Sequence, residues 1–239
     1  MEAKIRLYVD QPLAPGQAVA LSEGQAHYLT GVMRLEAGAP ILLFNGKDGE
    51  WRATLARAAK RNAIAIADAQ TKPLRLPPDL WLLFAPIKKA RTDFIVEKAV
   101  ELGAARILPV QTRHTNSERI RQDRLQAHAL EAAQQCGATY VPEVTDLQHL
   151  DKLLAKWPED RRLYWCDETA IGQPATLAPA TGPAAILIGP EGGFSAEESA
   201  RLRGKPNVTP LSLGPRILRA DTAAVAALTL WQAACGDWR

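Results

Sequence analysis

The sequence predicts a small, mostly β unit followed by a larger α/β unit, whose mainly parallel sheet carries helices on both faces. Three observations lead there. Short runs of alternating apolar and polar residues recur through residues 1–70. Three prolines, Pro73, Pro77 and Pro78, then interrupt the chain; proline lacks the N–H that a helix interior or a central strand needs. Beyond them, apolar runs of strand length alternate with helical periodicity, the pattern of parallel strands joined by crossover helices. The boundary therefore falls between residues 1–72 and 73–239.

In the first unit, Ile5, Leu7 and Val9 alternate with polar neighbours as a strand does. Residues 24–35 read as one helix. Ile41-Leu42-Leu43-Phe44 leads into Asn45-Gly46, a strong hairpin-turn signal. Alternation resumes from Trp51 to Leu55 and again at Ile64 and Ile66. In the second unit, Leu80 to Phe84 has strand length, and residues 92–102 form a helix closed by Gly103. Ile107-Leu108-Pro109-Val110 reads as a strand, residues 122–135 as a helix and Leu163-Tyr164-Trp165-Cys166 as a strand. Ala184-Ala185-Ile186-Leu187-Ile188 is wholly apolar, as a strand buried on both faces is. A helix over residues 195–202, a last strand at Leu211-Ser212-Leu213 and an Ala-rich helix over residues 222–234 complete the series.

With 47% hydrophobic and 23% charged residues, the 239-residue chain is neither largely disordered nor collagen-like. A chain of this length buries a full core without disulfides or a structural metal. No stretch approaches the roughly 18 uninterrupted apolar residues of a membrane helix, so no membrane role is expected. Met1-Glu2-Ala3-Lys4-Ile5-Arg6 alternates charge with apolar residues and lacks the apolar centre of a signal peptide. Cys136, Cys166 and Cys235 are far apart and include no Cys-x-x-Cys, which points to a reducing, cytoplasmic setting. His27, His114, His128 and His149 are scattered without ligand spacing, so no metal is expected. Net charge is +3, unevenly spread: residues 73–124 carry ten Lys/Arg against six Asp/Glu, residues 125–239 ten against thirteen. The positive excess of the N-terminal half would steer a polyanion, although a solvated mixed surface accounts for so small an excess equally well.

In open α/β sheets, ligands bind beyond the carboxyl ends of the strands, and two strand exits here are unusual. The first is Ile188-Gly189-Pro190-Glu191-Gly192-Gly193-Phe194-Ser195. Its glycines permit close backbone approach or positive φ, and Ser195 with Glu198 forms a capping box. A tight turn explains the glycines, but not a Glu held between Pro and Gly-Gly. The spacing is neither that of a dinucleotide loop nor that of a Walker loop. The second exit, Leu213-Gly214-Pro215-Arg216-Ile217-Leu218-Arg219-Ala220-Asp221-Thr222, repeats the strand–Gly-Pro–helix theme. Asp221 or Thr222 can serve as an ordinary N-cap; Arg219 has no such default role.

Together these two motifs resemble the signature pair of the knotted SPOUT methyltransferases. Within them the chain most resembles the uridine-N3-specific ribosomal RNA small subunit methyltransferase E family. Lys88, Arg91, Lys98 and Glu101-Leu102-Gly103 match that family's basic helix, and Gln135 with Val141-Pro142 its next segment. His27, Val32, Arg34, Gly38 and Phe44-Asn45-Gly46 match its PUA-like RNA-binding barrel, so the resemblance covers nearly the whole chain.

The resemblance implies a C-terminal trefoil knot and a pocket for S-adenosylmethionine. The pocket residues would be Leu187, Ile188, Gly189, Gly192, Gly193, Leu211, Leu213, Gly214, Ile217, Leu218 and Thr222. No acidic residue stands where the ribose-binding Asp/Glu follows a Rossmann glycine loop. The reaction would be methyl transfer to the imide nitrogen of a uracil in small-subunit ribosomal RNA. That nitrogen exposes its lone pair only on losing its proton. A guanidinium suits the developing anion, which assigns Arg219, with Glu191 or Asp221 orienting it or receiving the proton. RNA contacts would come from Arg6 and Arg34, with Lys47, Lys60 and Arg61, on the barrel and from Lys88, Lys89 and Arg91 beyond it; Lys60-Arg61 reads equally well as a solvated hairpin end. Asp93, Glu97 and Glu101 read as a solvated acidic helix face. The partners implied are ribosomal RNA or the small subunit, and a second copy of the chain in a homodimer. The apolar residues around nearly every face of the last helix fit the same expectation, and equally a helix fully buried inside a monomer. The alternatives are another SPOUT enzyme acting on a ribose or on transfer RNA, and a non-catalytic RNA-binding ribosome-assembly protein.

Overall fold

The computed structural model describes residues 3–116, 119–170 and 177–239; the first two residues of the N-terminal charge alternation lie outside them. The chain forms two units. Residues 1–76 are joined in the first by residues 133–141, and the second comprises residues 77–132 and 142–239.

The first unit is a five-stranded sheet of β1 (Arg6–Tyr8), β2 (Ala18–Ala20), β3 (Pro40–Phe44), β4 (Glu50–Ala59) and β5 (Asn62–Lys72), in the order β1-β3-β4-β5-β2. β1 runs parallel to β3 and the other pairings are antiparallel. Alternation buries Trp51, Ala53 and Leu55 against Val19, Leu29, Ile41, Leu43 and Ala65. Asn45-Gly46 marks a turn, but one that closes over residues 45–49, with Phe44 opposite Glu50. The Asn45 Oδ1 accepts hydrogen bonds from the N–H groups of Lys47 (3.0 Å) and Asp48 (2.8 Å), which organises the longer loop. The helix expected over residues 24–35 is split. α1 (Glu23–His27) passes into a π-helical turn, Tyr28–Val32. There the Thr30 hydroxyl donates back to the Ala26 carbonyl at 2.9 Å, and Arg34, at φ 54°, turns the chain away.

The second unit contains β6 (Leu80–Phe84), α2 (Lys89–Glu101), β7 (Arg106–Gln111), α3 (Gln122–Cys136), β8 (Glu143–Val144), β9 (Gln148–His149), α4 (Leu150–Ala155), β10 (Arg162–Cys166), β11 (Ala184–Ile188), α5 (Ala196–Arg203), β12 (Val208–Leu211) and α6 (Ala220–Ala234). The strand order is β12-β10-β11-β6-β7-β8, with β9 also on β7, and every pairing is parallel. Helices cover both faces. Leu83, Leu163, Trp165, Ala185 and Leu187 pack against Leu150 and Leu154 of α4 and Leu202 of α5. The alternate residues Leu82, Phe84 and Ile186 are equally buried and point to the other face, where α6 lies on β11 and against α2. Gly103 closes α2 at φ +74°, and the buried Gln232 of α6 donates to the Leu102 carbonyl there at 2.6 Å.

Two local expectations need correction. The last strand ends at Leu211; residues 212–219 leave the sheet because Gly214 takes φ +100°, and its N–H bonds the Ser212 hydroxyl at 3.3 Å. The acidic series on α2 is solvated only at Glu101. Asp93 is buried and paired with Arg124 of α3, and Glu97 faces His128 Nδ1 at 3.2 Å.

Candidate active site

Parallel pairing in the order β12-β10-β11 brings three carboxyl ends side by side, and a pocket of about 440 Å³ opens beyond them. That volume is in the range of pockets that enclose small molecules. Its wall comes from three exits: residues 166–168 after β10, 188–193 after β11, and 211–219 leading into α6, with Ala220 and Ala223 behind.

The β11 loop is held from both sides. Phe194 packs edge-on against Trp165, with ring centroids 5.8 Å apart. The capping box expected at Ser195 is present: the Ser195 hydroxyl accepts from the Glu198 N–H (3.2 Å), and Glu198 Oε2 accepts from the Ser195 N–H (2.8 Å). Glu198 Oε1 also accepts from the Arg113 N–H at 2.8 Å, tying the loop to the end of β7. Gly193 sits at φ +65°, and a Cβ there would overlap the Glu168 carboxylate. No other residue fits that position without strain.

The β12 loop offers unpaired backbone. Among the described residues, no backbone hydrogen bond uses the peptide groups of Leu213, Ile217 or Leu218. These main-chain groups are open to a ligand, and beside them stand the apolar side chains of Ile188, Leu211 and Ala223. An apolar slot edged with main-chain N–H and C=O groups can take a flat ring with a hydrogen-bonding edge.

Of the cofactor candidates, Ile188, Gly189, Gly192, Gly193, Leu211, Leu213, Gly214, Ile217 and Leu218 line the pocket. Leu187 is not among the lining residues: alternation turns its side chain into the core beside Trp165. Thr222 is exposed on the first turn of α6, its N–H bonded to Asp221 Oδ1 at 3.0 Å. Arg219 and Glu191 are exposed on the pocket wall, and neither has an ion pair among the described residues. Asp221 does not line the pocket; its carboxylate is held by Arg91 at 3.1 Å. Arg91, a candidate for RNA, is thereby joined to the start of α6, while Lys88 is exposed just before α2. Arg34 is exposed.

Arg6 is a correction. Its guanidinium bonds Glu50 at 2.6 Å and the Ala133 carbonyl at 2.6 Å, reaches the Ala138 carbonyl at 2.5 Å, and lies 3.6 Å over the Phe44 ring. With 9% of the side chain exposed, it holds residues 133–141 to the first unit and offers nothing to a phosphate.

The third exit escapes a local reading of the sequence. Cys166-Asp167-Glu168 has no glycine signature, and only its position at a strand end could have flagged it. Burial pushes the Cys166 thiol up to about 12, which favours its neutral form. Asp167 is occupied by the Thr169 N–H (2.9 Å), the Thr169 hydroxyl (2.7 Å) and Arg203 (3.0 Å). Among the described residues, no group of three His, Cys, Asp or Glu side chains converges as metal ligands do, and no helix is long and apolar enough to cross a membrane.

The chain is similar to known RNA methyltransferases in both of its units. An RNA methyltransferase domain model matches residues 74–232, and an RNA methyltransferase PUA domain model matches residues 21–68. Ribosomal RNA small subunit methyltransferase E from Synechocystis sp. is 31% identical, with 88% of this chain and 71% of that protein covered. A protein from Legionella pneumophila, solved in complex with the bound cofactor SAM, is 31% identical at a TM-score of 0.86, covering 99% of this chain and 100% of that one. Ribosomal RNA small subunit methyltransferase E from Neisseria gonorrhoeae, bound to S-adenosyl methionine, is 28% identical at a TM-score of 0.88, covering 98% and 99%.

Proposed function

The chain belongs to the ribosomal RNA small subunit methyltransferase E family, and on that premise we propose that it methylates N3 of a uridine in small-subunit ribosomal RNA, using S-adenosylmethionine. The observation that carries this reading is Arg219: an exposed guanidinium without an ion pair among the described residues, on the wall of a pocket suited to a nucleoside. When bound, the cofactor supplies an electrophilic methyl group. Residues 188–193 and 211–218 hold it by backbone groups, and Arg219 faces the uracil. As the N3–H proton leaves, negative charge spreads over the imide, and Arg219 donates hydrogen bonds to it without having to acquire charge. Glu191 is the carboxylate placed to receive that proton, directly or through water, because Asp221 is engaged by Arg91. Asp221 positions the start of α6 and with it Arg219.

In the same reading, the second unit is a SPOUT domain whose C-terminal segments form a trefoil knot. The first unit is a PUA-like barrel that presents Arg34 and Lys47 to RNA, with Lys88 as a further contact. The enzyme acts in the cytoplasm as a homodimer. The test is incubation with labelled S-adenosylmethionine and either naked ribosomal RNA or small subunits, followed by mass spectrometry of the digested RNA. N3-methyluridine at one site is expected. A methylated ribose, a methylated transfer RNA in a parallel reaction, or no transfer to any RNA would replace this reading.

A further inference from the structure

We infer that Glu168 accepts the ribose hydroxyls of the bound cofactor, an inference that rests on the function proposed above. The strand order places β10 between β12 and β11, so the residues leaving β10 emerge between the two glycine loops. S-adenosylmethionine is elongated, with adenine at one end, the amino acid at the other and the ribose between. A side chain from the central strand of three meets the middle of a ligand that spans both loops. Three carboxylates line the pocket. Asp167 is occupied by Thr169 and Arg203, and Glu191 belongs to the outer β11 loop. Glu168 lies over Gly193, where its Oε1 accepts the Phe194 N–H at 3.3 Å. That bond holds one oxygen of the exposed carboxylate toward the β11 loop, and Oε2 has no hydrogen bond among the described residues. A vicinal diol is a pair of donors, and an ionised carboxylate is an acceptor only, so the two are complementary.

Sequence order conceals this acid, since it follows a different strand from the glycine loop that it serves. The experiment is calorimetric titration of the full chain with three ligands: S-adenosylhomocysteine, its 2′,3′-dideoxy counterpart, and methylthioadenosine, which keeps the ribose but lacks the amino acid. Loss of the hydroxyls should weaken binding to the unaltered protein by about 10- to 100-fold, the value of hydrogen bonds to a charged group. In Glu168→Ala that penalty should vanish. In Glu168→Gln, which retains an oxygen for the Phe194 N–H, it should shrink. The Glu168 effect should persist with methylthioadenosine. An equal dideoxy penalty in all three proteins, or an effect that disappears with methylthioadenosine, overturns the role of Glu168 and leaves the cofactor site standing. Failure of the unaltered protein to bind any of the three ligands overturns the cofactor reading itself.

Discussion

Arg219 and Gly193 make different demands on the same pocket, and substitution separates them. Arg219→Ala removes a donor to charge that exists only as the proton leaves. It should lower the single-turnover methylation rate by about 100- to 1,000-fold while cofactor affinity, measured by calorimetry, changes little. A loss confined to affinity would move Arg219 out of the chemistry. Gly193→Val acts on binding instead. A β-branched residue at φ +65° is strained by about 1–3 kcal/mol, and its Cβ would displace Glu168. S-adenosylmethionine binding should be lost while circular dichroism still reports a folded chain; undiminished affinity would contradict the site.

Elements are joined by a few buried polar groups, and the Arg6–Glu50 pair shows how. Arg6 on β1, Glu50 at the start of β4 and the carbonyls of residues 133 and 138 form one network. Arg6→Ala leaves Glu50 buried and short of its main partner, at a cost of about 3–5 kcal/mol, to be read as a lower denaturation midpoint. The same network gives a pH dependence. Burial alone would raise the Glu50 carboxyl, but Arg6, Thr71 and Lys72 hold it below its ordinary value of 4.5. A depressed carboxyl stabilises the fold fully above its unfolded value and loses that contribution as pH falls through the folded one. Unfolding measured below about pH 4.5 should therefore show a steep loss of stability, shallower in Glu50→Gln. Equal slopes would mean that another carboxylate governs acid unfolding.

At the scale of the whole molecule, α6 sets the prediction. Ala224, Ala227, Leu228 and Trp231 are buried within the unit, whereas Val225, Ala226 and Leu230 are only half-buried. Apolar residues left half-covered on a helix leave room for a partner surface, which we expect a second copy to supply by symmetry. Sedimentation at micromolar concentration should give a dimer. Mixed dimers of an Arg219→Ala subunit with an Arg34→Glu subunit test whether sites are shared. If one subunit's first unit serves the other's pocket, such a dimer keeps one working site, roughly half the normal activity, while each mutant homodimer is impaired. A monomer of full activity would end both ideas.

Much of this molecule is written locally. Apolar runs of strand length mark β6, β7, β10 and β11, and helical periodicity marks α2, because such patterns involve only near neighbours. The glycine loop and the Ser195–Glu198 capping box are equally local, since turn and cap chemistry is set within a few residues. What local pattern does not encode is which strand lies beside which. The order β12-β10-β11-β6 is decided by packing, and it alone brings Asp167 and Glu168 between two loops distant in sequence. Long-range contacts likewise took Arg6 from the surface into a buried pair, Asp221 from the pocket to Arg91, and residues 133–141 into the first unit. A charged side chain reads the same in sequence whether it faces water or a partner 130 residues away; only the folded chain chooses between them, because burial makes an unpaired charge too costly.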